Sequence, residues 1–157
     1  MHCDIKPENI LITPEGDVKI LDFGVAKYLP GRDSENVTLT LSRSATNLIC
    51  GTPAYMPPEV FMEQAPDMRS DIFSLGVVLY ELWSGQHPFR SATAFETANR
   101  IMSAAPTPLG DFVPGTPLAL EQAIGKCLCK NPDDRYQDTL ELLSDLTTIK
   151  EARAQSN

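Results

Sequence analysis

The sequence is short of positive charge. Its 157 residues include 13 lysines and arginines against 21 aspartates and glutamates, which gives a net charge of −8. The basic residues are scattered singly, whereas a protein that binds a phosphate backbone needs clustered lysine and arginine. We therefore expect no nucleic acid among the partners of this chain.

Paired cysteines and long apolar runs are also missing. None of the four cysteines belongs to a Cys-x-x-Cys pair, so we expect reduced thiols in a cytoplasmic protein rather than a zinc site. The longest apolar run, residues 75–83, contains Glu81 and is about half of the ~20 residues that a membrane span requires. The first residues carry charge and no apolar stretch, so no signal peptide is expected. A membrane anchor of a longer parent protein would lie outside this stretch.

Two short β-branched segments near the beginning predict a hairpin. Residues 10–13 and 18–21 flank Pro-Glu-Gly-Asp at 14–17, which is typical of a turn. A hairpin brings the ends of its two strands together, so Asn9 at the entrance and Asp22 at the exit should be neighbours. Their amide and carboxylate oxygens are ligands that Mg²⁺ accepts. The mouth of the hairpin is therefore a predicted magnesium site.

The remainder reads as a loop followed by helices. Residues 25–50 show no regular period. Residues 71–84 predict a helix with Ser70 or Asp71 as its N-cap and Gly85 beyond its end. Because apolar side chains surround this helix on nearly every side, we expect it to be buried at the centre of the domain.

Three more helices follow in the prediction. One spans residues 94–104, and the next is opened by Thr116 as N-cap with Pro117 at the first helical position. The last begins at Asp138, with Glu141 completing a capping box. Its polar end, residues 151–157, is expected to fray.

Three motifs in fixed order carry the strongest signal. Residues 2–9 read His-Cys-Asp-Ile-Lys-Pro-Glu-Asn, residues 22–24 read Asp-Phe-Gly, and residues 51–59 read Gly-Thr-Pro-Ala-Tyr-Met-Pro-Pro-Glu. Each alone is weak, since short peptides recur by chance. Together they resemble the catalytic loop, the magnesium-binding motif and the end of the activation segment of a eukaryotic-like Ser/Thr protein kinase. The style of the last third resembles the bacterial members of that family.

The resemblance implies an α+β fold. Residues 1–147 would form the C-terminal, large lobe of a protein kinase domain, mainly α-helical with a small β-hairpin carrying the metal site, and residues 148–157 a polar tail. The sequence contains no Gly-x-Gly-x-x-Gly motif. The small N-terminal lobe, which covers the ATP phosphates in this family, is therefore expected to be absent from the chain.

The resemblance also assigns chemical roles. Asp4 would accept the proton of the substrate hydroxyl, and Lys6 would offer its ammonium group to the γ-phosphate of ATP. Asn9 and Asp22 would hold Mg²⁺, with Mn²⁺ as an alternative. Thr52 would position the substrate by hydrogen bonding to Asp4 and Lys6. Lys-Pro-Glu-Asn at 6–9, in place of the Ala/Arg-rich loop of tyrosine kinases, implies protein substrates phosphorylated on Ser or Thr.

Leu11, His2 and Phe23 have apolar roles by the same resemblance. Leu11 matches the position that packs beneath adenine and would contribute to cofactor binding. His2 and Phe23 match members of the apolar column that links the two lobes. Plain core packing is an adequate alternative for all three.

Further residues would support the site from a distance. Glu59 would pair with Arg135 and fasten the activation segment to the lobe. Asp71 would hold the backbone of the catalytic loop, unless it serves simply as a helix N-cap.

Regulation is the least defined part of the prediction. The hydroxyl-bearing residues between 38 and 46 are either phosphorylation sites or part of a flexible loop. These residues are Thr38, Thr40, Ser42, Ser44 and Thr46. Cys3 stands where the family usually has the Arg that binds a phosphorylated activation loop, which puts control by that route in doubt.

Two functions compete at this point. The first is a Ser/Thr protein kinase of which this chain is the large lobe, inactive alone because its partner, the small lobe, is missing. The alternative is a non-catalytic half-kinase that acts as a binding or regulatory module. Either form would expose the apolar surface that normally faces the small lobe.

Overall fold

The computed structural model describes residues 1–21 and 53–155. These ranges contain one two-stranded sheet and six α-helices. The strands are β1 (Ile10–Ile12) and β2 (Val18–Ile20), and the helices are α1 (Pro58–Phe61), α2 (Met68–Ser84), α3 (Ala94–Ser103), α4 (Leu109–Phe112), α5 (Leu118–Cys127) and α6 (Thr139–Gln155). Short 3₁₀ turns occupy Pro7–Asn9, Pro53–Tyr55 and Pro132–Asp134. The mainly helical α+β character expected from the sequence is confirmed for this part of the chain.

The predicted hairpin is confirmed. Strands β1 and β2 are antiparallel, with Ile10 opposite Ile20. Gly16 closes the turn at φ +92°, a conformation that glycine adopts without steric cost. The backbone N–H of Leu21 donates to the carbonyl of Asn9 at 2.8 Å, so the pairing continues to the mouth of the hairpin.

Helix α2 begins earlier than the sequence predicted. Asp67 is its N-cap, accepting from the backbone N–H of Arg69, and the Ser70 hydroxyl accepts in return from the N–H of Asp67. Neither Ser70 nor Asp71 is therefore the cap, because this reciprocal pair satisfies two N–H groups at once. The helix ends at Ser84, with Gly85 beyond its end at φ 68°, as predicted.

Burial of α2 is extensive but incomplete. Phe73 and Val77 are fully buried in the main core cluster. Leu82 is 75% exposed, however, so the expectation of a helix buried on every side is wrong at its C-terminal turn.

Helix α3 lies where it was predicted and is capped by the Thr93 hydroxyl, which accepts from the N–H of Glu96. The prediction of Thr116 as the cap of the next helix is wrong. Its hydroxyl donates to the carbonyl of Val113 and accepts from Nε1–H of Trp83, so it braces the end of α2 instead.

Helix α6 is capped by Asp138, whose carboxylate accepts from the N–H groups of Leu140 and Glu141. Glu141 reaches back to the N–H of Gln137, one residue before the cap, rather than closing the expected box. The helix continues to Gln155, so the segment expected to fray is helical to that point.

A buried ion pair joins three parts of the chain. The guanidinium of Arg135 donates to both carboxylate oxygens of Glu59, at 2.9 and 2.8 Å. The Ser70 hydroxyl donates to the same carboxylate at 2.6 Å. Burial raises the pKa of Glu59, but the hydrogen bonds from Arg135 and Ser70 outweigh it and hold that pKa below its ordinary value. The pair fastens α1 to α2 and to the segment before α6.

We expect Arg135→Leu to lower the free energy of unfolding by about 3–5 kcal/mol, since it leaves the Glu59 carboxylate buried without its charge partner. Urea denaturation measures the loss. The matched control is Asp133→Asn, which removes an ion pair to Arg69 whose Asp133 side chain is 79% exposed. Equal effects of the two substitutions would contradict this account.

Close packing between α2 and α5 depends on Gly76. A Cβ added there would lie 2.6 Å from Cβ of Cys127 and 3.2 Å from Cδ2 of Leu128. We expect Gly76→Ala to destabilise the fold by about 1–3 kcal/mol through overpacking. Gly125→Ala in α5 is the control, because its added Cβ meets nothing within 4 Å. That control should gain up to ~1 kcal/mol from helix propensity, and a loss at both sites in thermal denaturation would refute the packing explanation.

Candidate active site

The segment that carries Asp4 is held by the first turns of α2. The carboxylate of Asp71 accepts from the backbone N–H of His2, and from the N–H of Cys3 at 2.8 Å. Cys3 has φ 66°, a left-handed conformation that is rare for a residue with a side chain. Asp71 thus fixes a strained backbone immediately before Asp4.

Three of the residues predicted to do chemistry lie together. Nζ of Lys6 is 3.0 Å from Oδ2 of Asp4. Nδ2 of Asn9 donates to the same oxygen at 3.0 Å and to the backbone carbonyl of Asp4 at 2.7 Å. The 3₁₀ turn Pro7–Asn9 makes this possible, because it folds Asn9 back toward Asp4. The carboxylate therefore has a cation and an amide donor at its edge.

His2 connects this loop to the hairpin. Its imidazole is buried, Nδ1 accepts from the N–H of Asp4 at 3.3 Å, and Nε2 lies 3.0 Å from the carbonyl of Leu21. Since Nδ1 accepts, Nε2 carries the proton and donates to Leu21. The histidine is thus bonded to the residue that precedes Asp22.

Of the two predicted metal ligands, Asn9 lies within the described residues. Asn9 is buried and uses Nδ2 to donate to Asp4, which leaves its Oδ1 as the atom suited to a cation. Within residues 1–21 and 53–155, no group of three or more His, Cys, Asp or Glu side chains could hold a metal ion. Asp22, the second predicted ligand, lies outside the described residues.

Seven other residues named in the sequence analysis also lie outside the described ranges. They are Phe23, Thr52, Thr38, Thr40, Ser42, Ser44 and Thr46. Leu11 is described and is 49% exposed on β1, opposite Lys19. Ile12 and Val18, which pair across the strands, are also exposed, on the opposite face of the hairpin from Leu11.

A cleft separates the Asp4 loop from the segment around Tyr55. Asp4 and Lys6 line one side, and Tyr55, Met56 and Pro57 line the other. The Tyr55 hydroxyl donates to the carboxylate of Glu81. Burial and this hydrogen bond raise the pKa of the Tyr55 phenol, which therefore stays protonated.

Sequence reasoning missed the roles of two serines, Ser70 and Ser74, that bond to the segment around Tyr55. The Ser74 hydroxyl donates to the carbonyl of Tyr55 at 2.8 Å, one helical turn after Ser70 donates to Glu59. Small polar residues spaced four apart in an apolar helix were the signal available, because that spacing places both on one face.

No α-helix in the described ranges is long and apolar enough to cross a membrane.

Comparisons with known proteins agree with this geometry. Residues 1–146 match the model of the protein kinase domain family. The serine/threonine-protein kinase PknL of Mycobacterium tuberculosis is 35% identical over 154 residues, covering 98% of this chain and 36% of that protein. The probable serine/threonine-protein kinase PknB of Bifidobacterium longum is 37% identical over 148 residues, covering 94% of this chain and 20% of that protein.

The chain spans about a third or less of the length of these curated relatives, at 36% and 20%. The family model nevertheless covers residues 1–146, nearly all of the sequence. The resemblance to bacterial Ser/Thr kinases, inferred from the three motifs and from the last third of the sequence, is confirmed, and the chain belongs to the protein kinase domain family.

Proposed function

We propose that this chain is the large, C-terminal lobe of a Ser/Thr protein kinase, which transfers the γ-phosphoryl group of ATP to Ser or Thr hydroxyls of proteins. The observation that supports this most directly is the cluster of Asp4, Lys6 and Asn9 on a backbone fixed by Asp71. The relatives named serine/threonine-protein kinases support the choice of substrate class.

Phosphoryl transfer requires a positioned nucleophile and charge neutralisation around the phosphates. The hydroxyl oxygen of the substrate attacks the γ-phosphorus, the bond to the β-phosphate oxygen breaks, and the hydroxyl proton passes to the carboxylate of Asp4. Lys6, 3.0 Å from that carboxylate, is placed to stabilise negative charge on the transferred group. The cleft beside Tyr55 would receive the protein segment that carries the hydroxyl.

Bound Mg²⁺, or Mn²⁺ in its place, supplies charge neutralisation on the phosphates. Oδ1 of Asn9 is suited to this ion, and Asp22 would be the second ligand. The bond between the Leu21 N–H and the Asn9 carbonyl supports that pairing, since it brings Asn9 beside the residue that precedes Asp22.

Transfer should also require a small lobe placed before residue 1. The sequence has no Gly-x-Gly-x-x-Gly segment to cover the phosphates. Leu11, exposed on β1, would contribute to the surface on which such a lobe and adenine rest.

We predict that the isolated chain transfers no phosphate to myelin basic protein in the presence of ATP and Mg²⁺. The same chain fused after the small lobe of PknL should do so. In that fusion, Asp4→Asn should lower kcat by roughly 10²–10⁴-fold, the usual contribution of a general base. Incorporation of ³²P measures the reaction.

Asp17→Asn is the matched control, because Asp17 is an exposed aspartate at the turn of the β1–β2 hairpin, at the end away from its mouth. It should leave the rate unchanged. A folded fusion whose rate is insensitive to Asp4→Asn would refute the kinase assignment and favour the non-catalytic binding module.

A further inference from the structure

His87 lies in the loop between α2 and α3, far in sequence from the residues assigned to catalysis. Its imidazole makes three hydrogen bonds. Nδ1 accepts from the backbone N–H groups of Phe89 and Arg90, at 3.1 and 3.0 Å, and Nε2 lies 3.1 Å from the carbonyl of Ala54. Two of these bonds are local, and the third spans 33 positions of the chain.

The bonding pattern fixes the state of the ring. Because Nδ1 accepts from two N–H groups, it has no proton, and Nε2–H must be the donor to Ala54. Burial and the nearby charge of Arg90 lower the pKa of His87 to about 4. The neutral, Nε2-protonated form therefore persists at physiological pH.

Ala54 directly precedes Tyr55, Met56 and Pro57, which line the cleft together with Asp4. Tyr55, the next residue, contacts His87 edge to face with ring centroids 5.2 Å apart. The Tyr55 carbonyl is held by Ser74 and its hydroxyl is bonded to Glu81. His87 adds a bond to the carbonyl of Ala54, the residue before Tyr55. Two successive carbonyls of the 3₁₀ turn Pro53–Tyr55 are therefore hydrogen-bonded to α2 and to the loop that follows it.

We propose that His87 is a positioning residue for the protein substrate, and that its bond to the Ala54 carbonyl fixes the substrate-facing wall of the cleft. This inference rests on the kinase function proposed above. His87 does not line the cleft itself, so it acts through residues 54–57 and not by contact with the substrate.

Because Nδ1 makes the local bonds of His87 and Nε2 makes the distant one, two different substitutions can each retain one set of bonds and remove the other. Asparagine places an acceptor near Nδ1 and retains the local bonds to Phe89 and Arg90, but it is too short to reach Ala54. Glutamine places an N–H donor near Nε2 and retains the bond to Ala54. His87→Asn therefore removes the proposed function, while His87→Gln preserves it.

The first measurement is amide hydrogen exchange on the 157-residue chain, which does not depend on kinase activity. The N–H of Met56 donates to the carbonyl of Pro53 and reports on this turn. Exchange at Met56 should accelerate about 3–10-fold in His87→Asn, as expected for one lost hydrogen bond. It should stay at the wild-type rate in His87→Gln. Unchanged exchange in His87→Asn would overturn the proposal.

The second measurement is steady-state kinetics on the fusion with the PknL small lobe, using myelin basic protein. His87→Asn should raise the KM for this substrate about 3–10-fold and change kcat and the KM for ATP by less than about twofold. His87→Gln should restore the KM. A fall in kcat with unchanged KM, or equal defects in both variants, would overturn the positioning role.

The two proposals fail differently. If the wild-type fusion folds but transfers no phosphate, the proposed kinase function is wrong and His87 has no substrate to position. If the fusion is active and Asp4-dependent while His87→Asn has wild-type kinetics, the kinase function stands and only the role of His87 is wrong.

Discussion

The buried pair of Glu59 and Arg135 is the interaction on which the rest of the structure depends. Removing two charges from water is costly unless every polar group finds a partner. Here the guanidinium uses all five of its N–H groups, which donate to Glu59 twice and to the backbone carbonyls of Arg69, Cys129 and Lys130. The guanidinium therefore holds the backbone of two segments, at Arg69 and at residues 129–130, as well as joining two charges, and the segment that ends at Glu59 is attached to the helical body through it.

An aromatic layer extends from this pair toward the cleft. Cζ of Arg135 lies 5.0 Å from the ring centroid of Phe73, which stacks on Phe89 with centroids 6.1 Å apart. Nζ of Lys130 lies 3.8 Å from the centroid of Phe89, and burial lowers the pKa of this lysine to about 8. Phe89 is also the residue whose N–H donates to His87. Contacts of cations with aromatic faces thus link the ion pair that holds Glu59 to the loop that holds Ala54.

The parts of the site that are local in sequence could be predicted, and the parts that depend on distant contacts could not. The hairpin and the proximity of Asp4, Lys6 and Asn9 follow from turn residues and from a motif eight residues long. The start of α2 was placed too late because the Asp67–Ser70 capping box precedes the apolar stretch that defined the helix. Nothing local marks His87, since its bond to Ala54 exists only after α2 has packed against the turn at residues 53–55.

The two walls of the cleft are held by a single stretch of α2. Asp71 fixes the backbone before Asp4, while Ser70 and Ser74 bond to Glu59 and to the Tyr55 carbonyl on the opposite wall. A helix is rigid over one turn, because its backbone hydrogen bonds connect each residue to the fourth one before it. The spacing between the Asp4 loop and the segment around Tyr55 therefore depends on the geometry of one helical turn. Ser70, Asp71 and Ser74 use their side chains to bond to other segments of the chain, and the ion pair and the bond from His87 hold the segment around Tyr55 at Glu59 and at Ala54.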